Sequence, residues 1–107
     1  MLDGFYKARF TKSDGETILS LITLANGKLF GGNSDFMLLG SYSQSGNDLS
    51  ADIQISQLSF DRASGIFGEG GSLNLVGRGG FRDIMCECHS PQSPADRMQA
   101  VLERVPL

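Results

Sequence analysis

Leu49-Ser-Ala-Asp-Ile-Gln-Ile-Ser56 alternates apolar and polar residues at every step. Successive side chains on a strand point to opposite faces, so Leu49, Ala51, Ile53 and Ile55 share one face and Ser50, Asp52, Gln54 and Ser56 the other. Such a strand is half-buried, with one wall on a core and one in water. Working toward the amino terminus, Ser43-Gln44-Ser45-Gly46-Asn47-Asp48 reads as the turn that feeds it, and Phe36 to Ser43 as the strand before that turn. Phe5 to Phe10 alternates likewise, with Tyr6, Ala8 and Phe10 inward and Lys7 and Arg9 outward, while Phe5 breaks the pattern. Between them, strands near 16–25 and 28–31 flank Asn26-Gly27, whose tolerance of positive φ makes it a hairpin signal.

Toward the carboxyl terminus, Phe60 to Gly71 is glycine-rich and reads as loop with a short extended piece. Residues 72–77 and 81–89 read as two more strands joined through Arg78-Gly79-Gly80. The last segment fits two periods. Met98, Val101, Leu102 and Val105 match helical spacing behind Ser93-Pro94, whereas Met98, Ala100 and Leu102 match a strand. From the pattern alone helix is the slightly better fit. About eight short strands without a long crossover predict an all-β fold, an antiparallel meander that closes into a small barrel because closure removes exposed edges.

The composition fits one such domain over residues 1–107. A chain of 107 residues hides roughly two-thirds of its unfolded surface, enough for one modest core. Its 14 glycines agree with many turns. Nine basic against twelve acidic residues, a net charge of −3, and no basic cluster argue against a direct nucleic-acid ligand, because that affinity draws on cations meeting phosphates. No apolar run suits a signal sequence or a membrane span, so a cytoplasmic location is expected.

Catalytic and metal chemistry find little support. Gly31-Gly32-Asn33-Ser34-Asp35 does not open a helix, and Asp35 would repel a phosphate, so these glycines mark a strand corner. His89 is the single histidine. On a strand, Cys86 and Cys88 lie on the face opposite Glu87 and His89, so the four could not converge on a metal. The two cysteines are expected as buried free thiols, since a disulfide between such close neighbours would need severe distortion. No serine sits in a G-x-S-x-G elbow. No catalytic residue, metal or cofactor is therefore expected.

The apolar residues exceed what one core needs. Ile18, Ile22 and Leu24 face opposite to Leu19, Leu21 and Ala25, and Phe36, Leu38 and Tyr42 opposite to Met37 and Leu39. A one-layer barrel buries a single face, so the second set must be covered by a loop, by the terminal segment or by another subunit; of these a subunit is favoured, which places Leu19, Leu21, Met37 and Leu39 at a homodimer interface. Inside, aromatic Tyr6, Phe10, Phe36 and Tyr42 mix with small Ala8, Gly40, Ala51, Cys86 and Ala100. That mixture allows either a filled bore or a cavity for a small apolar ligand.

Asp3-Gly4-Phe5-Tyr6, Asn26-Gly27-Lys28-Leu29, Gly31-Gly32-Asn33 and Gly40-Ser41-Tyr42, in this order and spacing, resemble the GrlR-type negative regulators of type III secretion. The likeness runs over nearly the whole chain. It implies a small lipocalin-like barrel, tips the last segment toward strand, and implies a dimer that sequesters a transcriptional activator by protein contact. The founding regulator engages its activator through an acidic Glu-Asp-Glu-Asp loop. The matching residues here, Ser43, Gln44, Ser45, Gly46, Asn47 and Asp48, hold one carboxylate. The sequence thus predicts a non-enzymatic, dimeric binding or regulatory module, with a carrier of a small hydrophobic ligand as the alternative.

Overall fold

A computed structural model describes residues 3–58, 71–79, 83–90 and 93–106. Eight strands follow in chain order: β1 Gly4–Lys12, β2 Thr17–Ala25, β3 Lys28–Gly32, β4 Phe36–Ser45, β5 Asp48–Gln57, β6 Gly71–Gly79, β7 Asp83–Ser90 and β8 Ser93–Arg104. Each pairs antiparallel with the next, and β8 returns to β1, so the sheet is a closed up-and-down barrel. The all-β barrel read from the alternation is what forms. No helix occurs among the described residues.

The β5 alternation holds position by position: Leu49, Ala51, Ile53 and Ile55 are buried, and their neighbours from Ser50 to Ser56 are exposed. Tyr6, Ala8 and Phe10 do the same on β1. Asn26 and Gly27 both take positive φ, 54° and 81°, the pairing of a two-residue hairpin whose twist matches its strands. The Gly31-Gly32 corner resolves into a strand end and an Asx turn. Both glycines belong to β3, and Asn33 turns the chain, its Oδ1 accepting from the Asp35 and Phe36 amides at 2.7 and 3.2 Å.

The structure changes the sequence reading most at three places. β4 runs on through Ser45, leaving only Gly46-Asn47 as the turn, because Ser43, Gln44 and Ser45 find partners in Ser50, Leu49 and Asp48. β6 continues through Arg78 and Gly79, which pair with Met85 and Ile84 rather than forming the connection. The last segment is a strand, against its helical periodicity. Ala100 and Leu102 sit opposite Phe10 and Ala8 and are wholly buried, and a helix there would leave β1 and β7 with open edges. The Phe60 to Gly71 loop reading lies outside the described residues, apart from Gly71, which starts β6.

Candidate functional site

Four places in the barrel hold the residues singled out by sequence: the bore, one mouth, the β4–β5 hairpin and the outer wall. In the bore, Tyr6, Phe10 and Phe36 belong to one continuous core that, among the described residues, holds nineteen buried hydrophobic side chains, against which Tyr42 packs from the rim. Tyr6 is 1% and Phe10 0% exposed, so both rings are packed away from solvent. Eight-stranded barrels are narrow enough for side chains to fill them, and here large buried residues alternate along the strands with Ala8, Ala51 and Ala100.

At the mouth, the hydroxyl of Tyr42 donates to Asp3, whose other oxygen accepts from the Asn26 amide at 3.4 Å. Arg104 donates to the Tyr6 hydroxyl at 2.9 Å, its guanidinium carbon 5.2 Å from the ring centre. The Tyr42 hydrogen bond, with the Asn26 amide, holds the Asp3 carboxyl below its ordinary value of 3.8. Burial pushes the Tyr6 and Tyr42 phenols up. Tyr42→Phe should therefore raise the Asp3 carboxyl back toward its ordinary value. A carbon-detected NMR titration of the Asp3 side chain reads this directly, and an unmoved titration would assign the depression to another donor.

In the hairpin proposed for partner contact, Ser43, Gln44 and Ser45 close β4, Asp48 opens β5, and Gly46 supplies the positive φ of the turn. Gln44 donates to the Gly46 carbonyl at 2.9 Å, and the Gly79 amide donates to the Asn47 carbonyl at 2.7 Å. Asp48, the one carboxylate, accepts from Arg78 at 3.0 Å. This hairpin is a tethered tip, with its single negative charge already matched.

The outer wall carries the apolar surplus. Leu19, Leu21, Met37 and Leu39 all face out, and Leu19 is 65% exposed. Register gathers them: Leu21 and Met37 are each opposite Gly32, and Leu39 is opposite Phe30. Phe30, itself exposed, completes the patch. The sequence reading did not single it out, although Leu29-Phe30 alternates inward and outward on β3. Leu58 extends the patch past Met37, its amide donating to the Asp35 carbonyl at 2.8 Å.

A second feature of the wall was not foreseen. Two ridges of outward side chains cross the strands side by side. One runs Ser43, Ser50, Val76, Glu87 and Gln99, and the other Ser45, Asp48, Arg78, Met85 and Val101. Between them lies the backbone of residues whose small side chains point inward, Gly77, Cys86 and Ala100. The result is an open furrow of about 660 Å³. Val76 and Met85 lie on neighbouring strands, and only the register between those strands brings them together.

Cys86 and Cys88 are free thiols, both buried on the inner face of β7 as the sequence predicts, with Glu87 exposed on the other face. Among the described residues no three His, Cys, Asp or Glu side chains stand close enough to hold a metal ion. No helix among them is long and apolar enough to cross a membrane. The class defined by fold and surface is a closed eight-stranded antiparallel barrel whose outer wall, among the described residues, carries an apolar patch on β2–β4 and a furrow with mixed polar and apolar ridges. No protein-family model matches the chain, and no curated protein does.

Proposed function

We propose that the protein is a non-enzymatic regulatory module that works as a homodimer and sequesters a protein partner, in the manner of a transcriptional activator held out of action. The observation that carries this reading is the exposed patch of Leu19, Leu21, Phe30, Met37 and Leu39. Contiguous apolar side chains on a closed barrel serve no internal core, and two copies facing each other across this patch would remove them from water. The acidic composition suits a protein partner better than a nucleic acid. The alternative of an apolar carrier draws less from the geometry, since Tyr6 and Phe10 would have to leave their packing to open a slot.

Two measurements test it. Sedimentation at micromolar concentration should give a dimer, and Phe30→Asp or Leu39→Asp should weaken association at least about 100-fold by burying an unpaired charge. A monomeric parent protein would remove the dimer. Cross-linked purification of the tagged chain from its native cells should then yield a DNA-binding regulator. Reconstituted from pure components, that regulator should lose its DNA contact when bound. A co-purified apolar small molecule with no protein would overturn the regulatory reading in favour of a carrier.

A further inference from the structure

We draw no further inference here: the strongest candidate, the outer-wall furrow across β4–β8, has its carboxylates Glu87 and Asp48 already paired with Arg97 and Arg78, and nothing in the structure shows what covers it.

Discussion

Gly40→Ala should destabilise the barrel by at least about 3 kcal/mol, a large share of the stability of a domain this size. Gly40 lies on β4 between Leu29 of β3 and Ile53 of β5, with its missing side chain directed inward. A methyl group there would fall inside the van der Waals shell of the Asp52 carbonyl oxygen and lie 3.0 Å from the Ile53 Cα. Both neighbours are backbone held in the β4–β5 ladder, so neither rotates away as a side chain would. Gly31 faces the same obstacle from the Leu21 carbonyl, which implies that the wall bends sharply at two adjacent strands where only glycine fits. Gly46→Ala gives the contrast. Its site is open but its φ is +61°, so only the left-handed backbone is strained, at a cost of about 1–2 kcal/mol. Urea unfolding followed by far-ultraviolet circular dichroism ranks the variants. A Gly40→Ala protein as stable as its parent would show that the strands separate there without cost.

The same residues show how far a sequence of this kind can be read. Alternation is a local signal, so β1 and β5 could be assigned from their own side chains. The Asn26-Gly27 turn was legible because positive φ is a property of those two residues. Gly40 was read only as a small inward residue, since its role depends on the carbonyl of a strand twelve positions away. The last strand was ambiguous for a related reason. Met98, Val101, Leu102 and Val105 satisfy a helical period, and it is the open edges of β1 and β7 that decide against it. Of the candidate sites, the patch at Leu19, Leu21, Met37 and Leu39 could be found from facing alone. The furrow could not, because its ridges are assembled from five strands by register, and no single segment carries the pattern. The hairpin at Ser43 to Asp48 was visible, but the Arg78 contact that neutralises Asp48 comes from thirty residues on.

Raising the pH from 9 to 11 should destabilise the fold by roughly 5 kcal/mol, a loss comparable to the whole stability of many small domains. The source is the pair of thiols on the inner face of β7. Burial pushes Cys86 from its ordinary 9.0 to about 12, and it pushes Cys88 higher still, with Cys86 and Glu87 adding to the rise. Above pH 9 the unfolded chain releases both protons while the folded chain keeps them, so the unfolded state binds fewer protons and stability falls with rising pH. The stability linked to these groups is complete below the unfolded value and disappears as pH climbs through the folded one. Each thiol contributes about 1.4 kcal/mol per pH unit in that window, and two together roughly 2.7. Tyr6 and Tyr42 are also raised from 10.0, chiefly by burial, so they steepen the loss only past pH 10. Urea unfolding between pH 8 and pH 10 isolates the cysteines. Cys86→Ala with Cys88→Ala should lower stability at pH 7 through lost packing, yet flatten the alkaline slope, because the variant has no thiol to ionise. Iodoacetamide at pH 9 should label the parent protein only as fast as it opens, so labelling should accelerate with added urea well below the unfolding midpoint. Parallel pH curves for parent and double variant would place the alkaline loss elsewhere, and rapid labelling without urea would show that the thiols already reach water.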